Sequence, residues 1–152
     1  MTVGKKSVFI RLVTLLLVCS LITPCYASAA TLETAQPYAS DYFDAYNTYI
    51  CAMGSGRIEI WFTVTGTHYM DEIGTLSIRL YESTDNQNWT HVKTFLHENY
   101  STMLASNKVL YTSCVSYQGV IGRYYKAYVC LWAGKDGGGE TRYMWATSVK
   151  AT

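Results

Sequence analysis

The chain has 152 residues, of which 49% are hydrophobic and 15% charged, so it is long enough for one domain and too apolar to be disordered. A net charge of +1 gives no reason to expect a nucleic acid or an anionic membrane surface as partner. The unusual feature is the content of 14 tyrosines and four tryptophans, which favour β-strands and ligand-facing surfaces.

The first thirty residues have the pattern of an export signal. A start with three cations precedes an apolar run at 12–23 that is short for a membrane span. Small residues at 27–30 then have the spacing that a signal peptidase reads. We expect residues 1–29 to be a signal peptide, which meets the membrane only before cleavage, and residues 30–152 to be secreted into the medium or held at the cell surface. An uncleaved membrane anchor is the alternative.

After the signal, the sequence predicts strands separated by turns. An opening strand is predicted from about Tyr46 to Met53, and strict alternation of apolar and polar residues predicts a half-buried strand at 56–66 that Gly66 ends. A polar loop at 67–74 then leads to a third strand, in which Leu76 begins the core-facing side.

The second half of the chain continues this pattern. Its predicted segments are a turn at 83–88, a strand at 89–98, an irregular crossing at 99–107, a strand at 108–117, a corner at 118–122, a strand at 123–134, a flexible hairpin tip at 135–140 and a closing strand at 141–149. About seven short strands with turn signals every 8–12 residues are typical of a β-sandwich. The predicted fold class is therefore all-β, a single β-sandwich of about seven antiparallel strands.

Two segments resemble parts of a fibronectin type III domain. YESTDNQNWTHVKTF at 81–95 is similar to the hairpin between the C and C′ strands of bacterial members, and GVIGRYYKAYVCLWA at 119–133 resembles the corner and F strand. Tyr125 matches the tyrosine that follows the glycine turn in that fold. The turn reads DNQN instead of aspartate–glycine, and the proline-rich edges are missing. The resemblance implies a fibronectin III-like or immunoglobulin-like sandwich.

The chain also resembles a group of small exported proteins from Gram-positive anaerobes whose function is uncharacterised. The shared segments are GSG at 54–56, IWF.VTGT at 60–67, MDEIG at 70–74, I..YES at 78–83 and SVKA at 148–151. This resemblance implies export and a β-fold, and it carries no catalytic residues.

Three cysteines remain after the signal: Cys51, Cys114 and Cys130. An odd number leaves at least one of them unpaired, even in the oxidising compartment that export implies. All three fall in predicted strands, which favours small hydrophobic residues in or near the core over an essential bridge.

No motif in the sequence indicates catalysis, a metal or a cofactor. Asp71 and Glu72 are adjacent acids, but they are far fewer ligands than a calcium site needs. The glycines at 137–139 open no helix and end in no P-loop lysine, and no serine stands in a GxSxG pattern. We therefore expect no catalytic, metal-binding or cofactor-binding residue, and no enzymatic activity.

The alternation in the strand at 123–134 leaves one side for solvent. That side and its predicted neighbouring strand carry the candidate ligand-facing residues Arg79, Tyr81, Tyr124, Lys126, Tyr128 and Trp132. The last strand adds either Arg142 and Met144 or Tyr143 and Trp145. Flat aromatic faces flanked by cations stack on sugar rings or anchor protein partners. The alternative is that residues 31–47 cover Tyr128 and Trp132.

Trp89 stands just past the turn at 83–88. A strand-end aromatic beside a turn packs across its hairpin in many sheets, and we expect that role for Trp89. A finger that reaches a ligand is the alternative.

These features together favour an exported, non-enzymatic β-sandwich that binds an extracellular glycan, a wall polymer or a protein. Two other readings of the same sequence stay open. One is a structural or stress-related exported protein without a specific ligand, and the other is a small extracellular hydrolase without a recognisable motif.

Overall fold

The computed structural model describes residues 40–152. The predicted signal peptide at 1–29 lies outside the described residues, and so do residues 30–39 of the predicted domain. The described part contains strands β1 (Phe43–Gly54), β2 (Arg57–Met70), β3 (Glu72–Ser83), β4 (Thr90–Leu96), β5 (Leu104–Ala105), β6 (Lys108–Gln118), β7 (Tyr124–Lys135) and β8 (Gly138–Lys150), and a 3₁₀ turn at His97–Asn99 between β4 and β5.

The strands form two antiparallel sheets. One sheet has the order β1-β2-β6, and the other has the order β4-β3-β7-β8 with β5 added to β3. Their inner faces share one hydrophobic core, so the predicted all-β sandwich is confirmed. Residues 40–152 include no helix with the length and apolar character to cross a membrane. Seven of the eight described strands are long, and the two-residue β5 falls inside the predicted irregular crossing.

Alternation along β2 and β7 builds the centre of the core. Ile58, Ile60, Phe62 and Val64 of β2 are fully buried, as the pattern at 56–66 predicts. The five β7 residues predicted to share a face are also fully buried: Tyr125, Ala127, Val129, Leu131 and Ala133. Because one side of β7 is completely occupied by the core, the opposite side of this strand is fixed toward the outside.

The predicted loop at 67–74 is wrong, because β2 continues through Gly66 to Met70 and β3 begins at Glu72. The backbone N–H of Thr67 donates to the carbonyl of Tyr42, just before β1, and Met70 pairs with Lys108 of β6, so contacts on both sides extend β2. A Cβ at Gly66 would lie 2.7 Å from Cγ of Met70. Gly66 therefore provides the space in which Met70 folds into the core, and it does not end the strand.

The predicted core position of Leu76 also needs correction. The pairing between β3 and β7 shifts between Thr75 and Ser77, which makes Leu76 the extra residue of a bulge, and its side chain is only partly buried. Thr75 takes the fully buried position instead, and its hydroxyl donates to the carbonyl of Cys130 at 2.7 Å. The bulge restores the alternation that puts Arg79 and Tyr81 on the outside.

Tyr125 fixes the corner that leads into β7. The N–H of Val120 donates to its hydroxyl oxygen at 2.8 Å, and the hydroxyl donates to the carboxylate of Glu82, which also pairs with Arg123. These hydrogen bonds tie the start of β7 to the preceding corner and to β3. Burial, together with the hydrogen bond to Glu82, raises the pKa of Tyr125 to about 12.

Candidate functional site

The outer side of the β4-β3-β7-β8 sheet carries a continuous group of aromatic side chains. Registration of the strands explains this, because Tyr81 lies between His91 of β4 and Lys126 of β7, and Tyr128 lies opposite Trp145 of β8. Each of these residues occupies an outward position of the pleat. We call this group the aromatic face, and its members are Tyr81, Trp89, His91, Lys126, Tyr128, Tyr143 and Trp145.

The rings of the aromatic face touch one another across four strands. The ring centroid of Tyr81 is 5.5 Å from that of His91 and 5.5 Å from that of Trp145. Tyr128 continues the chain, with its centroid 4.8 Å from Trp145 and 5.7 Å from Tyr143, to which it is stacked. Aromatic pairs at these distances contribute about 0.5–1.5 kcal/mol each beyond their burial. The rings are therefore held in place by one another and by the strands.

Lys126 lies between two indoles at the centre of the aromatic face. Its Nζ is 4.4 Å from the ring centroid of Trp89 and 4.6 Å from that of Trp145. Cation–π contacts are worth about 0.5–1 kcal/mol at exposed sites and more where water is excluded. Trp89 is half-buried, and its contact with Lys126 reaches past β3 to β7. The contact of Trp89 is thus with a cation two strands away, and its packing across the hairpin stays a prediction.

The rings of β8 are the most open part of the aromatic face. Tyr143 is 59% exposed and Trp145 is 48% exposed, whereas Tyr81 and Tyr128 are half-buried beside them. From β4 to β8 the aromatic face crosses three strand spacings, roughly 14 Å at about 4.8 Å each. The rings of Tyr128 and Tyr143 are nearly parallel, whereas the other neighbouring rings are tilted by 41–73°, so the surface offers ring faces and ring edges to a ligand.

Five of the six residues predicted from the sequence lie on or beside this surface. Tyr81, Lys126 and Tyr128 belong to the aromatic face, and Arg79 lies exposed opposite Tyr128. Tyr124 is half-buried at the next outward position of β7, with Nζ of Lys150 5.4 Å from its ring centroid. Of the two pairs left open for the last strand, Tyr143 and Trp145 face outward, and Arg142 and Met144 are opposite the buried Leu131 and Val129.

Trp132, the sixth predicted residue, points outward at the far end of β7 and has a different environment. Its ring lies against Gly134 and Gly139, and a Cβ at Gly134 would come within 2.7 Å of it. Its indole N–H is buried and has no hydrogen-bond partner among residues 40–152. An unpaired buried donor costs about 1–3 kcal/mol. Trp132 therefore packs on the hairpin backbone and takes no part in the ring contacts of the aromatic face.

A shallow cavity of about 300 Å³ opens beside Trp132, between Asp71 and Lys135. Asp71 accepts a hydrogen bond from the backbone N–H of Asp136 at 2.7 Å, and its own N–H donates to Gly134. These bonds hold the turn at Asp136 and Gly137, which both have positive φ, so the predicted flexible tip is a tight turn tied to the start of β3. The carboxylate next to the cavity thus has a structural role.

Four members of the aromatic face were not among the six site residues that the sequence predicted. They are Trp89, His91, and the pair Tyr143 and Trp145, which was one of two pairs left open for the last strand. His91 reaches the aromatic face because the β3–β4 ladder shifts between Leu80 and Tyr81, which moves His91 opposite Tyr81. Simple alternation could not reveal that shift. The alternation along β8 included Trp145 in one of two possible outward pairs. Because large side chains occupy both sides of β8, alternation alone could not select between them.

The outer side of the β1-β2-β6 sheet holds a smaller aromatic pair. Tyr49 and Trp61 have nearly parallel rings with centroids 6.2 Å apart, and Nε1 of Trp61 donates to Glu59 at 3.2 Å. Cys51 and Cys114 lie on the two strands that flank β2, about two strand spacings or roughly 10 Å apart, which is too far for a disulfide. Partial burial and the nearby Glu59 carboxylate raise the pKa of the Cys114 thiol.

All three cysteines of the described residues are unpaired, with Cys130 buried and the other two half-buried. This agrees with the prediction that at least one has no partner. Among residues 40–152, no three histidine, cysteine or acidic side chains gather as a metal site would require. The prediction that the protein uses no metal or cofactor stays a prediction.

Comparison with known proteins finds a weak structural likeness and no significant sequence relative. No protein-family model matches the chain, and no curated protein is significantly similar to it in sequence. Among solved structures, the crystal structure of Spo0M, a sporulation control protein from Bacillus subtilis, is similar with a TM-score of 0.38 and 11% sequence identity. The likeness covers 71% of this chain and 50% of Spo0M, so the chain spans about half the length of that protein. At this TM-score the likeness carries no argument about function.

Proposed function

We propose that the protein is an exported, non-enzymatic β-sandwich that binds an extracellular glycan on its aromatic face. The observation that carries the proposal is the continuous set of ring contacts from His91 to Tyr143, with the two β8 rings about half exposed. Exposed apolar surface of this kind is rare without a partner. Sugar rings suit it because one face of a pyranose presents C–H groups that pack on an aromatic ring, while its hydroxyls stay in water.

The sandwich is proposed to be of the fibronectin III-like or immunoglobulin-like type. One support is Tyr125, because a tyrosine at the start of strand F that bonds to the backbone a few residues upstream is a hallmark of immunoglobulin-like sandwiches. The other support is the strand order, because β3, β7 and β8 are neighbours as strands C, F and G are in that fold. The aromatic face lies on the outer side of the sheet that contains these three strands. Within residues 31–47, residues 43–47 belong to β1 of the other sheet, which supports an open aromatic face.

A glycan array with the exported protein tests the binding proposal. We expect retention on at least one class of polysaccharide, and we expect Tyr143→Ala and Trp145→Ala to lower the affinity at least tenfold. The matched control is Tyr49→Ala, since Tyr49 is also an exposed strand tyrosine (43%) but lies on the opposite sheet. Equal loss in Tyr49→Ala, or no glycan binding by the unaltered protein, would contradict the proposal.

The export proposal has a separate test. The intact mass of the protein recovered outside the cell should place its new N-terminus between Ser28 and Thr31. A secreted or surface-bound species that retains Lys5 and Lys6 would show that the predicted signal is not cleaved, and would favour the membrane anchor.

A further inference from the structure

Three cations follow one another diagonally across the outer side of the β4-β3-β7-β8 sheet. Arg79 on β3 is opposite Tyr128, and Lys126 is two residues from Tyr128 along β7. Lys150 on β8 is opposite Tyr124, again two residues from Lys126. Diagonal neighbours in antiparallel sheets are about 7–8 Å apart, so the three cations succeed one another at roughly that interval. We call Arg79, Lys126 and Lys150 the cation diagonal.

Among residues 40–152, no member of the cation diagonal forms an ion pair. The two ion pairs found among residues 40–152 are formed elsewhere, by Arg123 with Glu82 and by Arg142 with Glu140. Glu82 is opposite the buried Tyr125, and Arg142 is opposite the buried Leu131, so both pairs belong to the inner side. The outward positions from Ser77 to Tyr81, and their neighbours in β4, β7 and β8, carry aromatic, cationic, hydroxyl, thiol or aliphatic groups and no carboxylate.

Aromatic rings accompany each step of the cation diagonal. Lys126 lies over Trp89 and Trp145, and Lys150 lies over Tyr124. A ligand that stacks on these rings therefore meets a positive charge at each step along the sheet. The complement of such a surface is a chain of sugar rings with a negative group at regular intervals.

We infer that the glycan bound on the aromatic face is an acidic polysaccharide, whose rings stack on the aromatic side chains and whose negative groups meet the cation diagonal. The inference rests on the function proposed above. Arg79 and Lys150 are exposed and Lys126 is half-buried, and the guanidinium of Arg79 can donate two parallel hydrogen bonds to a carboxylate or phosphate.

Single-stranded nucleic acid also uses aromatic rings beside cations. The overall charge disfavours it here. Lys5, Lys6 and Arg11 belong to the first 29 residues, which leaves nine basic residues in 30–152. Against 11 acidic residues, these give a net charge of about −2. Nucleic-acid binding depends on a general excess of positive charge, whereas a local line of three cations is sufficient for an acidic glycan.

The first experiment compares polygalacturonate oligosaccharides with their methyl-esterified form, which has the same backbone without the charge. Titration of the exported protein should show at least about tenfold tighter binding of the acidic form, since hydrogen bonds to charged groups are the stronger ones. The preference should decrease as salt is raised, because the cations are near the surface.

The second experiment removes one charge on each sheet. Arg79→Gln should lower affinity for the acidic form about tenfold and leave affinity for the methyl ester unchanged, with no change in the unfolding midpoint. Arg57→Gln removes an exposed arginine from the opposite sheet and should change neither affinity.

The other possible results would contradict either the acidic polysaccharide alone or the proposed function as well. Equal affinity for both forms, an equal loss in Arg57→Gln, or tighter binding of a single-stranded oligonucleotide would overturn the acidic polysaccharide and leave glycan stacking to be judged by the array. Failure of every glycan on the array would overturn the proposed function and this inference together.

Discussion

The ammonium of Lys126 is 4.6 Å from the ring centroid of Trp145, although the two residues belong to different strands and are not directly paired. Trp145 is opposite Tyr128, so its indole leans along β8 to reach the next outward residue of β7. The same indole is 4.8 Å from the ring of Tyr128. Trp145 thus contacts both the ammonium of Lys126 and the ring of Tyr128, and its removal should affect both contacts.

A double-mutant cycle measures that link. Lys126→Ala and Trp145→Ala should each destabilise the fold by about 1 kcal/mol, and their interaction should be about 0.5–1 kcal/mol favourable, because the double variant can lose the cation–π contact only once. Urea unfolding of the four proteins provides the measurement. Strict additivity of the two changes would show that the contact does not stabilise the protein.

The sequence could reveal the sheet faces because burial on one side of a strand leaves a period of two. In β7 that period predicts five buried residues correctly, and with them the outward direction of Lys126 and Tyr128. In β8 the same argument left two pairs open, since large side chains occupy both sides. The structure selects Tyr143 and Trp145 as the outward pair.

Features that depend on contacts between distant segments were beyond the sequence. Glycine favours turns, which is why Gly66 was predicted to end β2. Hydrogen bonding to Tyr42, which precedes β1, and pairing with Lys108 of β6 extend β2 past it. The prediction that Trp132 points outward was correct. The direction in which its ring leans depends on Gly134 and Gly139, which the β7–β8 hairpin places next to the ring. Alternation predicts the side on which a residue lies and says nothing about that lean.

The packing of Trp132 against the glycines of the β7–β8 hairpin gives a second prediction. A Cβ at Gly139 would overlap the indole ring and would lie 3.0 Å from the carbonyl oxygen of Ala133, and Gly139 does not have a positive φ, so the ring is the main obstacle to Gly139→Ala. We expect Gly139→Ala to destabilise the protein by about 1–3 kcal/mol, as overpacking does. In a Trp132→Ala background the same substitution should cost much less, because the ring is gone.

Thermal unfolding of the two single variants and the double variant checks this. Gly122→Ala serves as a contrast, because a Cβ there meets open space and its cost comes from a positive φ of 87° alone, so Trp132→Ala should not reduce it. A Gly139→Ala cost that is unchanged in the Trp132→Ala background would show that the ring does not lie on the hairpin backbone.

The three cysteines give a third prediction. After denaturation without a reductant, the exported protein should react with a thiol reagent at all three positions, because β2 separates Cys51 from Cys114 and Cys130 is in the other sheet. In the native state Cys130 should be protected by burial. Cys114 should react more slowly than a free thiol at neutral pH, because its raised pKa lowers the thiolate fraction. A monomer with one free thiol would instead contain a disulfide and contradict the strand register.

The Tyr125 corner gives the last prediction. Tyr125→Phe removes the hydroxyl that accepts from Val120 and donates to Glu82, so at neutral pH it should destabilise the fold by about 1–2 kcal/mol. The folded-state pKa of about 12 is above the ordinary value of 10, which means that the native protein holds this proton more tightly than the unfolded chain. The stability from the hydroxyl is therefore complete below pH 10 and is lost as pH rises from 10 to 12.

Urea unfolding at pH 8, 10, 11 and 12 should show the difference in stability between the unaltered protein and Tyr125→Phe decreasing over that range. Tyr69→Phe, at an exposed tyrosine, should leave stability unchanged throughout. A Tyr125→Phe difference that stays constant up to pH 12 would mean that the buried hydroxyl does not titrate with folding, and that the corner is held by packing of the ring alone.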